Sequence, residues 1–413
     1  MLWENTYWGM ASVQNFGVIF FVIGLFYFLS KDGTKDFNRA ILFAILATFT
    51  SGNGFLALPI ALFLLILQKE NKRAIQFSIV SILLAFVYFY HYKSPENPPF
   101  HGTIKEYSKA FLAFLGNLAD FKPNAILTLR MKYLMLTGTG IFVLSILYGI
   151  KLLIQSPIFT KKIDKQNHFY FGILLFLLAS ALIVVVGRMG FGVQTMLTSR
   201  YKIYSILLVI VLYCLLIQWT NYKKWISQIA FGLALIFNIW MNFQYFEEVI
   251  YQRNRLISFD FNASYTNFSG NRQFDAKVPY TAPKQFYDGK FVQIVNQLKD
   301  TTQINKTLEI KESNENITIK SDSTSGSSFI SLISDKQLFL FPTRQNCAAT
   351  RSFFLKDGIY FANGFTANID KNDLPSGTYL LGLVQEDEDN LTATNLNKTI
   401  LVEKNQTKKK VNW

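Results

Sequence analysis

Up to about residue 243 the chain is a succession of long apolar runs separated by short polar breaks. Beyond it the apolar runs shorten to strand length and polar turns multiply. A helix needs about 20 predominantly apolar residues to cross the hydrocarbon core of a bilayer. Six runs meet that length: Ser12 to Ser30, Ala74 to Tyr92, Tyr133 to Leu153, Phe169 to Gly187, Lys202 to Trp219 and Ile226 to Phe243. The stretch from Ala40 to Gln68 differs. It is too long for one upright helix and is broken at Ser51-Gly52-Asn53-Gly54, residue types that tolerate turn geometry. The pattern predicts two shorter helices, Ala40 to Thr50 and Phe55 to Gln68, forming a hairpin within the membrane.

Charge gives this pattern a direction. Lys31, Lys35 and Arg39 precede the hairpin and Lys69, Lys72 and Arg73 follow it. Short basic loops mark the cytoplasmic side, so both feet of the hairpin belong there, with Lys161 to Lys165 and Lys223-Lys224. The longer loop from Lys93 to Lys132 then falls outside. Within it Tyr107, Phe111, Phe114, Leu115 and Leu118 recur at helical spacing, which predicts an amphipathic helix near residues 104–120 lying along the outer interface. Aromatic clusters at Trp3, Tyr7 and Trp8, at Tyr88 to Tyr92, and at Trp219, Tyr222 and Trp225 fall where interfacial anchors belong.

After residue 243 the signals change. Glu247 to Ile257 and Phe286 to Lys299 read as short helices in a linker over residues 244–306. From Thr307 short runs bounded by Gly, Asn, Asp, Pro and Ser predict strands at Thr307 to Ile310, Asn316 to Ser321, Phe329 to Ile333, Gln337 to Phe341, Tyr360 to Ile369, Thr378 to Gln385 and Lys398 to Val402. The expected fold is therefore an α-helical transmembrane bundle over 1–243, of about six full spans plus a broken hairpin at 40–68. A small all-β sandwich of immunoglobulin-like type follows over 307–404, then a disordered basic tail over 405–413.

Composition adjusts this picture in three places. The net charge of +14 would point to nucleic acid in a soluble protein, but the basic residues sit in short loops between apolar runs and no nucleic-acid motif accompanies them. The two cysteines, Cys214 in an apolar run and Cys347 in the polar region, belong to different solvents and predict no internal disulfide. The N-terminus lacks the basic start and the small-residue cleavage site of a signal peptide, so the first run reads as a retained span. Seven Asn-x-Ser/Thr sequons, at Asn262, Asn267, Asn305, Asn316, Asn390, Asn397 and Asn405, read as chance in an Asn-, Lys- and Ile-rich chain, a composition that fits an AT-rich bacterium.

No dinucleotide fold start, P-loop, zincin motif or nucleophile elbow is present. The candidate chemistry lies in polar residues at membrane-facing positions, where such groups are costly. Glu4 is a carboxylate at the mouth of the first span, able to act as base, metal ligand or cap; Gln14 and Asn15 offer amides to sugar hydroxyls or to neighbouring helices. Asn53 lies at the hairpin tip, closing the turn or facing a wet cavity. Arg188 and the run Ser199-Arg200-Tyr201 flank a short outer loop, and arginine recognises phosphate oxygens through paired hydrogen bonds. Snorkelling to ordinary headgroups is the plainer role for either arginine.

The helix pair broken at Thr50-Ser51-Gly52-Asn53-Gly54, the outer interfacial helix and the Ser199-Arg200-Tyr201 loop together resemble the membrane half of GT-C-type glycosyltransferases, over roughly residues 1–243. The resemblance implies a polytopic enzyme that takes a sugar from a polyprenyl-phosphate donor on the outer face of the membrane. It also implies a catalytic carboxylate in the first large outer loop, often with a divalent metal. Here the first span runs directly into a cytoplasmic loop, with no Asp- or Glu-bearing outer loop after it. Either an N-terminal portion is lacking or catalysis does not take that route. No catalytic residue is carried over; Arg200 as a phosphate-binding group is. The expected setting is the bacterial inner membrane, with the C-terminal domain extracytoplasmic, the lipid bilayer and a polyprenyl-phosphate-linked sugar as partners, and no nucleic acid. Two other classes remain open: a non-enzymatic envelope protein whose β-domain binds glycan or a partner protein, and a transporter or flippase, against which the lack of internal repeats counts.

Overall fold

The computed structural model describes residues 5, 9–93, 97–99, 102–121, 126–155, 165–266, 294, 297–298, 308–313, 315–322, 327–334, 337–348, 358–371, 374–387 and 390–403. It divides into two compact units, Met1–Gln244 and Tyr245–Trp413. The expectations at Glu4, at Trp3, Tyr7 and Trp8, at most of Phe286 to Lys299, and at the basic tail lie outside the described residues.

The first unit is helical: α1 (Gly9–Leu29), α2 (Thr34–Thr50), α3 (Ala57–Leu67), α4 (Asn71–Phe89), α5 (Ile104–Leu115), α6 (Leu127–Gln155), α7 (Lys165–Arg188), α8 (Lys202–Trp219) and the start of α9 (Lys223–Thr266). By length and composition, α1, α4, α6, α7, α8 and α9 are apolar enough to cross a membrane, which marks an integral membrane protein. The span of α7 is the most enclosed, and Phe171, Leu174, Phe176, Leu177, Ala181 and Val185 all contribute to the core of this unit.

The hairpin is present, and its two feet meet. Arg73, in the first turn of α4, donates to the carbonyl of Lys31 (3.1 Å) and to that of Asp32, and lies 5.4 Å from the Phe37 ring at the start of α2. The break is a 3₁₀ turn at Gly52–Leu56. At Gly54 a Cβ would fall 1.8 Å from the Ala47 carbonyl oxygen, so only glycine allows the turn to close this tightly. The two arms match in length. The 17 residues of α2 rise about 26 Å. The 11 of α3 and the 5 of the 3₁₀ turn together rise about the same. The tip accordingly reaches Tyr88, whose ring lies 5.6 Å from that of Phe55 near the end of α4, and the π-helical turn Val13–Gly17 in α1, where Gly17 faces Thr50.

The expected amphipathic helix is α5. A capping box between Thr103 and Glu106 starts it, and its apolar face places Ala110, Ala113, Phe114 and Leu115 in the interior. Against α6 it packs through reciprocal glycines. A Cβ on Gly116 would meet the Leu134 carbonyl at 1.9 Å, and one on Gly138 the Leu112 carbonyl at 1.8 Å. Such close backbone approach is the packing mode open to helices in an apolar solvent.

One expectation fails at the start of the second unit. Glu247 to Ile257 is not a separate short helix but part of α9, a single helix of 44 residues. No proline or glycine interrupts it between Gly232 and Thr266, and Ile257 and Phe261 bury its far end. Among the described residues eight strands follow: β1 (Leu308–Glu312), β2 (Asn316–Ser321), β3 (Ser327–Ile333), β4 (Leu338–Pro342), β5 (Arg344–Cys347), β6 (Phe361–Asp370), β7 (Gly377–Asp387) and β8 (Asn390–Val402). They form two antiparallel sheets, β1-β2-β6-β5 and β4-β3-β7-β8. One core draws Ile317, Ile319, Phe365 and Ile369 from the first sheet and Ile330, Leu332, Leu381 and Leu383 from the second. The second sheet is covered on its other face too, where Ile257 and Phe261 of α9, with Ile294 and Leu298, meet Phe329, Leu338, Leu340 and Val384. Asn262 closes the β4 edge as a strand would, since its amide donates to the Leu340 carbonyl and accepts from the Leu340 N–H, both at 2.8 Å.

Candidate functional site

Two polar networks meet on residues 200–205, where the 3₁₀ turn Ser199–Tyr201 runs into α8. The first is a chain of amides. Asn53, at the hairpin tip, donates to the Tyr204 hydroxyl (3.3 Å), which donates to the side-chain oxygen of Asn15 (3.3 Å). Asn15 donates to Asn5 (3.1 Å) and to the Ala11 carbonyl (2.8 Å), and Asn5 donates to the Arg200 carbonyl (3.0 Å). Local backbone makes this possible. The π turn Val13–Gly17 rotates Asn15 into the interior of an otherwise apolar helix, the kind of irregularity that recurs at functional positions.

The second network is ionic. Asp120, which follows the turn Asn117–Ala119, accepts from Arg130 Nε (2.9 Å) and a terminal guanidinium nitrogen (2.7 Å), and from Lys202 Nζ (3.3 Å). Its side chain is 3% exposed and that of Lys202 5%. Burial works against the carboxylate's charge, yet the hydrogen bonds from Arg130 and the charges of Lys202 and Arg130 outweigh it and hold its pKa below the ordinary value. Asn117 and Ser205 staple this segment down: Asn117 donates to the Met196 carbonyl (2.9 Å), while Ser205 accepts from the Leu118 N–H (3.1 Å) and donates to the Leu115 carbonyl. One carboxylate thus holds two cations.

Of the residues singled out in the sequence, Asn15, Asn53, Arg200 and Tyr201 come together here. Tyr201 is buried, with its ring 5.4 Å from that of Phe114 and 5.2 Å from the Arg200 guanidinium carbon. Gln14 and Arg188 do not join them. Gln14 is exposed, because the π turn that brings Asn15 inward carries its neighbour outward. Arg188 is exposed at the end of α7, 5.6 Å from the Phe191 ring. Tyr204, Asp120, Arg130 and Lys202 were not read as site residues. The available signal was spacing, since Tyr204 and Lys202 fall within one helical turn of Arg200 and Tyr201.

A divalent metal does not fit this cluster. Among the described residues its one acidic member, Asp120, is committed to two cations, and no three His, Cys, Asp or Glu side chains are grouped to hold a metal ion. Compared with known protein families, characterised proteins and solved structures, the chain matches none.

Proposed function

We propose that this integral membrane protein binds a polyprenyl-phosphate-linked sugar and, like the GT-C-type glycosyltransferases its helical half resembles, moves that sugar on the outer face of the bacterial inner membrane in envelope glycan assembly. In this reading the second unit is an immunoglobulin-like sandwich on the extracytoplasmic side. The observation that carries the proposal is the pairing of Arg130 and Lys202 with one buried carboxylate, next along the chain to Arg200 and Tyr201, beside a hairpin tip tied in by Asn53 and Tyr204. Arginine and lysine side chains suit a phosphate or diphosphate, and the flanking amides suit sugar hydroxyls.

The test is sugar transfer and lipid binding by the full chain in nanodiscs, with polyprenyl-phosphate-linked sugars as donors. Binding that weakens about tenfold in Arg200→Ala, a loss of about 1.4 kcal/mol, supports the site. Unchanged binding in that variant removes it. One observation favours a second reading, a non-enzymatic envelope protein: the carboxylate at the centre of the cluster is engaged by Arg130 and Lys202 and is a poor base. Binding without transfer would select that reading.

A further inference from the structure

The two feet of the hairpin, residues 31–39 and 69–73, carry six basic and three acidic side chains. Arg73 joins the feet through its bonds to the carbonyls of Lys31 and Asp32. Each acid is taken by a cation within the structure: Asp36 by Arg39 (3.2 Å), Glu70 by Arg73 (3.0 Å) and Asp32 by Lys165. Lys31 is held by a neutral group, with its ammonium 2.7 Å from the Tyr27 hydroxyl and 4.2 Å from that ring. Among the described residues Lys35 and Lys72 have no acidic partner, and both are exposed. Inserting a helical bundle in one direction calls for basic residues in such loops. It does not call for their charge to be gathered at the start of two neighbouring helices.

We infer that the feet form a binding surface for an anionic phospholipid, with its headgroup phosphate beside Lys35 and Lys72 and its acyl chains along α2 and α4. These helices are neighbours at both ends. Arg73 lies 5.4 Å from the Phe37 ring at the basic end, and the Phe49 and Tyr88 rings are 6.5 Å apart at the other. Lys35 and Lys72 are each the second residue of their helix, so they stand at about one level. From Lys35 the exposed positions of α2 recur at three- and four-residue steps, through Arg39, Leu42, Leu46 and Phe49. From Lys72 those of α4 do the same, through Ile75, Ile79, Leu83 and Phe86. Each stripe is basic at its start and apolar beyond. A soluble phosphate matches the lysines alone, and a zwitterionic lipid matches the apolar stripes alone. An amphiphile with an anionic head matches both, and basic sites between membrane helices recognise such headgroups. This surface lies at the opposite end of the hairpin from the tip that Asn53 ties to Tyr204.

The test is lipid titration of the full chain in detergent, read by native mass spectrometry, with phosphatidylglycerol and phosphatidylcholine of the same acyl chains. The wild type should bind phosphatidylglycerol more tightly. In Lys35→Gln/Lys72→Gln that preference should fall by about fivefold for each lysine removed, the weight of one basic residue at an anionic surface. Lys223→Gln/Lys224→Gln removes the same charge from the start of α9 and should keep the preference. Glycerol phosphate, which has the phosphate without acyl chains, should not compete. All four lysines are exposed, so neither double variant disturbs packing. Three results would each overturn the proposal: equal affinity of the wild type for the two lipids, an equal fall in both double variants, or competition by glycerol phosphate.

Discussion

Each unit contains an arginine–carboxylate cluster, and the two are opposites. In the helical unit one carboxylate, Asp120, gathers two cations. In the second unit one cation, Arg344, gathers two carboxylates, with Glu247 at 2.9 Å, Glu248 at 2.8 Å and the Tyr251 ring at 4.0 Å. Burial works against the guanidinium's charge, but Glu248 and Glu247 outweigh it and push its pKa further up. The clusters differ in their contact with water. Asp120 and Lys202 are sealed, whereas the Arg344 side chain is 30% exposed. In each, the group in the minority neutralises the others, and its removal strands charge. The cost of stranding should scale with burial.

The sharpest way to break that comparison is Asp120→Asn. It leaves Arg130 and Lys202 facing each other in a buried place, and breaking a buried pair from one side costs about 3–5 kcal/mol. Thermal unfolding in detergent micelles should show this as the largest loss among these substitutions. The pH dependence follows from the same residue. Its folded pKa is depressed, so its contribution is fully present above the unfolded value of about 3.9 and is lost as pH falls through the lower folded value. Unfolding temperature should therefore be flat in this respect from pH 7 to about 4.5 and fall below about 4, a fall absent from Asp120→Asn.

The mirror substitution is Arg344→Ala. It strands Glu247, whose side chain is 4% exposed, beside Glu248. Truncation opens the partly exposed arginine site, so water reaches the two carboxylates and reduces the loss to about 1–2 kcal/mol. A loss equal to that of Asp120→Asn would show that burial does not set the difference. Glu248→Gln removes one carboxylate charge instead. Glu247 keeps its contacts at 2.9 and 3.0 Å with Arg344, and the expected change is within about 0.5 kcal/mol.

The contrast between units also governs what was legible in the sequence. The spans were legible because a helix in an apolar solvent writes its length directly in composition: Lys202 to Trp219 is the same helix in sequence and structure. The break at Gly52–Gly54 was legible from turn chemistry. Most strands were legible from short apolar runs, but Arg344–Cys347 was not, because its residues Arg-Gln-Asn-Cys carry no apolar alternation and it is held by pairing with β6. In β4, Leu338-Phe339-Leu340-Phe341 is buried throughout because one face meets the other sheet and one meets α9, so the run lacks the alternation of a half-buried strand. The length of α9 was hidden because its sequence turns polar near Glu247 while its backbone stays helical. In the site, Asn15, Asn53 and Arg200 stood out as polar groups in apolar surroundings. Asp120 did not, since an aspartate in a polar loop looks solvated, and only packing brings Arg130 and Lys202 to it across a sequence separation of 82 residues in the longer case.

The smallest expected stability effect is at Lys202, and it tests the proposed function most directly. Lys202→Met removes one cation while Asp120 keeps both of its closer bonds to Arg130, at 2.9 and 2.7 Å. Methionine fills much of the same volume, and replacing one buried charge of a cluster that remains neutralised is close to neutral or mildly stabilising. A purely structural cluster would therefore lose little or nothing. A cluster whose lysine serves an anionic lipid would behave differently, with unfolding temperature unchanged and polyprenyl-phosphate binding weakened about tenfold, or about 1.4 kcal/mol. The expected outcome is this separation of binding from stability, measured on the same nanodisc preparation. If binding is retained in Lys202→Met and in Arg200→Ala, these cations serve no ligand, and these two charge clusters are alike in purpose.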